Sequence, residues 1–527
     1  MKKSSKSQKT LDISQKIGYD EEKYDRKGEP PNMNDFVTYE AFGAVGDGVT
    51  DDAAAIAAAH AYANEHHLPV KTNPDAVYYI GGGACPAVIR TNTNFTTSHF
   101  IIDDREVENY RINIFEVPAS GEWTSDLPIP PLKEGQTYID LASLGICLES
   151  DMYVTVKSDE QMQYIRLGLN QDSGSPQTDS FILKKDGTIL SGINWNYTRI
   201  TSVSAVPIDE EELIIEGGFF KTIANQAESR YTYYGRGLSV RRSNTTVRNM
   251  HHTVEGEGDH GAPYSGFYGF SSCAYIKMKD CYVTGHKIYD TIGSQGKPVS
   301  MGSYDINCGH VLGITFEGIR QDDILNRTKW GVFGSNFCKQ IVFDDCIISR
   351  TDAHCGVRDY TIRNSVIGWQ GTNTIGFGEM LLENTTCYCD HMIGFRYDYG
   401  CTWHGNLTIR NVTWVPHPGR TFAPTMLYAY NDGMHDFGYP VYLPTNILIE
   451  NVTVVDTNVP RDYQGLVILS DFNRRMTADN ATDVEEPFGL VRPETLTIRG
   501  LHCVSGKKPV ICPNMALLPD LKVTVEE

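Results

Sequence analysis

The stretch IVFDDCIISRTDAHCGVRDYTIRNSVIGWQGTNTIGFGEMLLENTTC (341–387) contains one short pattern three times. An apolar residue, a variable position, a second apolar residue and another variable position lead to Asn or Asp: Ile341-Phe343-Asp345, Tyr360-Ile362-Asn364 and Met380-Leu382-Asn384. Working outward, the closing residue recurs at Gly217, Asn249, Asp280, Gly318, Asn411, Asn451 and Gly500. Two places before these ten turn residues stand Ile215, Val247, Met278, Phe316, Phe343, Ile362, Leu382, Ile409, Ile449 and Ile498. Alternation of period two is the mark of a strand, and Asn, Asp and Gly tolerate left-handed backbone, so each strand ends in a turn at one register. The tightest spacings, about 20 residues, match one coil of a solenoid, and the wider ones read as loops inserted on one face. The chain is therefore expected to be all-β, with ten or so stacked coils and Ile362, Leu382 and Ile409 in one internal row.

A solenoid lets 527 residues with 40% apolar content remain mainly one domain. The net charge of −20, with no cluster of Lys and Arg beyond the first residues, argues against nucleic acid and weakly against a polyanionic substrate. Thirteen cysteines lack a C-x-x-C pair, and Cys281, Cys346 and Cys387 fall in strand positions, where thiols serve as small apolar groups. Free thiols in a reducing compartment are the expectation. No apolar run long enough to span a membrane occurs, and the first residues lack a signal-peptide core. A cytoplasmic protein without a membrane partner is expected, or a secreted one if a leader has been removed.

Four segments follow. Residues 1–34 are polar and aperiodic and read as a flexible arm. Residues 35–104 hold a helix near 51–64, capped near Thr50 or Asp51, and the first coils. Asp51 and Asp52 suit the positive end of that helix. Residues 105–206 interrupt the repeat with alternating strands such as TYIDLASL (137–144), MYVTVKS (152–158) and IRLGLN (165–170), which suggest a small sandwich beside the first coils. Residues 207–527 are the main solenoid, with long loops near 415–444 and 456–494 that could wall a cleft.

The run FGAVGDGVTDDAAAI (42–56) resembles the N-terminal signature of the pectate-lyase superfamily of right-handed parallel β-helices, in which a short helix caps the open end. That resemblance implies a right-handed parallel β-helix with an N-terminal capping helix. It also implies a carbohydrate-related function: the superfamily includes polygalacturonases of glycoside hydrolase family 28, other glycosidases, polysaccharide lyases and phage tailspikes. Fold transfers across such a group more safely than chemistry does.

Aligning the coils on their turns superposes the residues that follow. These are His286 after Asp280, Gln321-Asp322-Asp323 after Gly318, and Arg350, Asp352 and His354 after Asp345. Trp369 and Gln370 follow Asn364, and Asp390, His391 and Arg396 follow Asn384. Coils stack about 4.8 Å apart, so residues at one register form a row on the outer face. Acids for proton transfer, planar rings for stacking and polar forks for hydroxyls are what a sugar chain lying along the solenoid requires. The expected catalytic set is Asp322, Asp323, Asp352 and His354, with Arg350, Trp369, Gln370, His391, Arg396, Asp390 and His286 contacting substrate. An outward-facing Asp should tolerate replacement by Asn with a stability change below about 0.5 kcal/mol.

Gln321-Asp322-Asp323 is similar to the paired-aspartate motif of family 28, which implies acid and base roles for Asp322 and Asp323. Arg350-Thr351-Asp352 is similar to that family's Asn-Thr-Asp but follows the Asp pair by a coil, and the Gly-His-Gly and Arg-Ile-Lys motifs are missing. A second cluster, 251–270, carries Glu255, Glu257, Asp259 and His260, which could edge the same cleft, bind a cation or form a mobile surface loop. No zinc spacing is present, and no metal or other cofactor is expected unless a lyase uses calcium. The expected activity is a glycoside hydrolase acting on an oligo- or polysaccharide. A uronate-directed polysaccharide lyase and a non-catalytic, tailspike-like glycan binder are the alternatives, and the oligomeric state is left open.

Overall fold

The structure is a computed structural model that describes residues 35–165, 174–230, 232–292, 298–416, 424–431, 437–457, 459, 461–473 and 488–526. The expected arm 1–34 lies outside them, as do most of IRLGLN and parts of the two long C-terminal loops.

The sequence repeat becomes a single parallel ladder. Ile215 pairs with Val247, Val247 with Met278, and so on through Phe316, Phe343, Ile362, Leu382, Ile409 and Ile449 to Ile498. All ten side chains point inward, at 0–4% exposure. All ten residues of the turn column have positive φ, between 48° and 77°, so the column exists because these residue types accept left-handed backbone. The turn amides also bond coil to coil: Asn384 Nδ2 donates to Asn364 Oδ1 (3.2 Å), Asn411 to Asn384 (3.0 Å) and Asn451 to Asn411 (3.2 Å). Two further strand columns complete the coils. Phe219–Ile223 and His251–Glu255 pair in the second. Leu238–Val240, Tyr268–Ser271, Ile306–Gly309 and Phe333–Asn336 pair in the third. The fold is a right-handed parallel β-helix.

A helix, α1 (Ala53–His66), caps the N-terminal end and buries Ile56, Ala59, His60 and Ala63. Asp52 occupies its N-cap but makes no capping bond. Its carboxylate accepts the backbone N–H groups of Val45 (2.7 Å) and Gly46 (3.2 Å) instead, folding the signature loop back on itself. Among the described residues no helix is long and apolar enough to cross a membrane.

The insertion begins later than residue 105, because Phe115–Val117 still pairs in parallel with Ala87–Val88 and Leu238–Val240. It is one antiparallel sheet, Met152–Tyr164 with Ser175–Leu183, Ile189–Leu190 and Ser202–Pro207, and not a sandwich. TYIDLASL contributes one bridge, Tyr138 to Thr188, and then turns. The sheet sits against middle coils, not the first. Tyr153 donates to the His310 carbonyl (2.6 Å), buried Lys339 pairs with Asp179 (2.6 Å), and Phe377 enters the insertion's own apolar core.

Candidate functional site: an arginine and tryptophan corner

Part of the predicted strip, Arg350, Asp352, Trp369, Asp390 and Arg396, lies together where the chain leaves the second strand column. From Gly318 to Asp345 the coil is 27 residues long (345 − 318), and its surplus forms the loop between Arg320–Gln321 and Phe333–Asn336. That loop delivers Arg327 and Trp330, which pattern matching passed over; the long spacing was the signal. The Arg350 guanidinium lies 4.7 Å over the Trp330 ring, and Arg327 lies 5.6 Å over Trp369. Both distances are within cation–π range. Two glycines allow the close packing. A Cβ at Gly331 would fall 2.4 Å from Arg350 Cβ, and one at Gly302 would fall 2.1 Å from Trp330 Nε1.

Asp352 is the anchor of this corner and is fully buried. Arg350 Nη2 donates to its Oδ2 (2.6 Å), and Arg396 Nη1 reaches both oxygens (3.0 and 2.8 Å). The Tyr304 hydroxyl makes a long contact to Oδ2 (3.4 Å). Burial first, and then the Asp352 charge, push the Tyr304 hydroxyl pKa up. Asp352 was expected to face outward with little bearing on stability; instead it aligns two guanidiniums from inside the coil. Arg327 also pairs with Asp390 (3.3 Å), and His391 stacks on Tyr428 (4.2 Å between ring centroids). Several polar atoms here are buried without a hydrogen-bond partner among the described residues: Trp330 Nε1, Arg350 Nε, Trp369 Nε1, Gln370 Oε1, Gln321 Nε2 and Ser349 Oγ. Natively buried polar atoms are rarely left so, and a cluster of them marks a place where a ligand can supply partners.

The remaining predicted residues go elsewhere. Asp322 and Asp323 are exposed. Asp323 has φ 55° and its carbonyl accepts the Asn326 N–H (2.8 Å), which makes it a turn residue of the long loop. Asp322 lies beside Tyr282, whose hydroxyl pKa is raised by burial and then by this carboxylate. Tyr282 in turn packs on His251 (4.1 Å), continuing an outer aromatic row through Phe219 and His99. Gln321 points inward and its Oε1 accepts the Ser349 N–H (2.8 Å). His354 lies in the strand Ile347–Arg363, but its side chain is outside the described residues.

His286 is buried, not surface-exposed, and belongs to a polar chain beneath the corner. Its Nδ1–H donates to Glu257 Oε1 (3.0 Å), while its Nε2 stands 3.5 Å from Asp305 Oδ1, an ionic contact too long for a good hydrogen bond. Asp305 also accepts from His252 Nδ1 (2.6 Å) and the Thr284 N–H (2.8 Å). Burial alone would lower the His286 pKa, but Glu257 and Asp305 outweigh it and raise it to about 9. For Asp305 burial is likewise outweighed, by His252 and His286, and its pKa falls to about 2. Of the second predicted cluster, Glu257 is thus structural, Glu255 pairs with Lys221 (3.2 Å), and Asp259 and His260 are exposed. Among the described residues no group of three or more His, Cys, Asp or Glu is placed to hold a metal ion.

Chemically, the corner holds three guanidiniums, two indole rings and two carboxylates, Asp352 and Asp390. The donors left over for ligand oxygens among the described residues are Arg350 Nε and the Nε1 groups of Trp330 and Trp369.

No family model matches the chain. A capsule depolymerase specific for KL64, from Klebsiella phage P510, is 29% identical over 125 residues, which is 21% of this chain and 12% of that protein. Among solved structures, the tailspike gp49 of Pseudomonas phage LKA1 is similar with a TM-score of 0.50 and 14% identity, over 88% of this chain and 81% of that one. The tailspike gp61 of Pseudomonas phage phi297 gives 0.49 and 12%, over 93% and 84%. The likeness does not single out glycoside hydrolase family 28. In fold, the chain is a right-handed parallel β-helix similar to the gp49 tailspike.

Proposed function

We propose that the chain is a polysaccharide depolymerase that binds its substrate at the arginine and tryptophan corner and cleaves glycosidic bonds there. The observation that carries this reading is the convergence of Arg327, Trp330, Arg350, Trp369 and Arg396 around Asp352 and Asp390, with unpartnered indole and guanidinium N–H groups among them. The partial likeness to a capsule depolymerase is consistent with it. Hydrolysis is the leading chemistry, with the exposed Asp322 and the corner carboxylates as candidates for proton transfer. The three guanidiniums favour a substrate that carries acidic sugars. They also support a lyase as the second reading, because elimination needs the uronate carboxylate neutralised. The test is incubation with a panel of bacterial capsular polysaccharides, KL64 included, with chain length followed by size exclusion. New reducing ends without ultraviolet absorbance indicate hydrolysis, and an absorbing unsaturated end indicates elimination. If no capsule is shortened, the enzymatic reading is overturned.

A further inference from the structure

A second polar groove, of about 430 Å³, runs between the insertion and the middle coils, and the corner does not reach it. Its size falls within the usual range for small-molecule sites, about 300–1,000 Å³. On the insertion side stand Glu134, Glu160, Gln161 and Trp195; on the solenoid side stand His404 and Tyr442. The His404 and Tyr442 rings stack face to face at 4.0 Å and 14°, a two-ring aromatic stack on the solenoid wall. Glu134 Oε1 lies 3.6 Å from His404 Nδ1, and Glu160 accepts the Thr198 hydroxyl (2.5 Å). Trp195 is only 8% exposed and is held edge-on by Phe377 and Tyr439, both at 4.8 Å, yet its Nε1–H has no hydrogen-bond partner among the described residues. A buried indole donor without an acceptor is costly unless a ligand supplies one.

The chemistry of the lining selects the ligand. Ring faces pack against the C–H faces of a pyranose, while carboxylate and amide groups take its hydroxyls. Among the described residues no Lys or Arg lines the groove, and the two glutamates repel a carboxylate-bearing sugar. We infer that this groove is a binding subsite for a neutral oligosaccharide, separate from the cationic corner. The inference rests on the reading of the chain as a glycan-processing protein, and it gives the insertion a role: it supplies one wall of the subsite.

The experiment titrates the full chain calorimetrically with cellohexaose, maltohexaose, mannohexaose and chitohexaose, and with hexagalacturonate as the acidic probe. At least one neutral hexamer should bind. Trp195→Phe, which keeps an aromatic ring in the core but removes the N–H, and Tyr442→Ala should each weaken that binding at least tenfold. Arg350→Ala should change it less than twofold. Melting curves identify any variant that fails to fold, and Trp195→Phe then decides alone. Absence of binding by every neutral hexamer overturns the subsite, and so does binding that both variants leave intact. Capsule cleavage without neutral binding removes the subsite and leaves the depolymerase standing. Neutral binding without cleavage of any capsule does the reverse.

Discussion

Replacing Asp352 with Asn is the sharpest test of the corner, because the structure reverses what its sequence position suggests. A surface Asp loses little on amidation. Asp352 is fully buried and its two oxygens are shared by Arg350 and Arg396, at 2.6 to 3.0 Å. Removing one charge of a buried pair leaves the other uncompensated and typically costs about 3–5 kcal/mol. Arg396 retains some access to water, which can rehydrate its guanidinium, so the lower end of that range is expected. An unfolding entropy of about 2.1 cal/mol/K per residue over roughly 490 residues is about 1 kcal/mol/K, so the melting temperature should fall by about 3 °C if the β-helix melts as one unit. Asp322→Asn, on the exposed loop, should shift it by less than about 0.5 °C, since surface changes stay within about 0.5 kcal/mol. Calorimetry of both variants at pH 7 makes the comparison. On a cleavable capsule, Asp352→Asn should also lower kcat/KM at least tenfold, because both guanidiniums lose their alignment. An Asp352→Asn protein that melts within 1 °C of wild type would refute the buried clamp and the corner built on it.

Stability should also depend on pH through His286. Its pKa is raised from 6.5 to about 9, so its contribution is complete below pH 6.5 and is lost as pH rises through 9; the loss is on the order of 3 kcal/mol. Asp305, lowered to about 2, acts oppositely: its contribution holds above pH 3.8 and disappears as pH falls through 2. Melting temperatures from pH 5.5 to 9.5 should decline in wild type and stay flatter in His286→Gln; parallel profiles would count against the buried ion pairs. None of the thirteen cysteines is in a disulfide, with Cys85 and Cys147 exposed and the others buried. Thiol titration should therefore find two reactive groups in the native protein and thirteen after denaturation, and any missing thiol in the denatured sample contradicts this. In the turn column, Asn411 has φ 53° and bonds Asn384 and Asn451. Asn411→Val should cost about 1–2 kcal/mol from backbone strain, more than Asn411→Gly, in denaturant melts; equal costs would contradict the left-handed turn.

What the sequence made legible was whatever local backbone chemistry dictates. The ten turn residues need left-handed φ and the ten apolar residues before them need burial, and both demands are met within five consecutive positions. The docking of the insertion could not be read in this way. It depends on pairs far apart in the chain, such as Tyr153 with His310 and Asp179 with Lys339, whose composition alone gives no hint of partnership. The corner lies between these cases. Its residue types were visible, but register predicts stacking only while corners have equal length. The surplus residues after Gln321 carry Asp322 and Asp323 onto an exposed loop and bring Arg327 and Trp330 in their place.

That exchange changes the substrate argument. A net charge of −20 weighs weakly against a polyanion when only composition is known. Charges on an exposed surface, however, are screened beyond about 8–10 Å at ordinary ionic strength. At the corner Asp352 answers Arg350 and Arg396, at 2.6 and 2.8 Å, and Asp390 answers Arg327 at 3.3 Å, so three guanidiniums stand against two carboxylates and the group carries one net positive charge. On the proposed function, added salt should weaken capture of an acidic glycan by reducing its encounter rate, while contacts made beside the buried Arg350 and Asp352 are screened far less. Binding at the corner should accordingly lose association rate with salt and keep its dissociation rate. A glycan held only by surface charge would instead be released faster as salt rises, and salt-dependent binding kinetics separate the two.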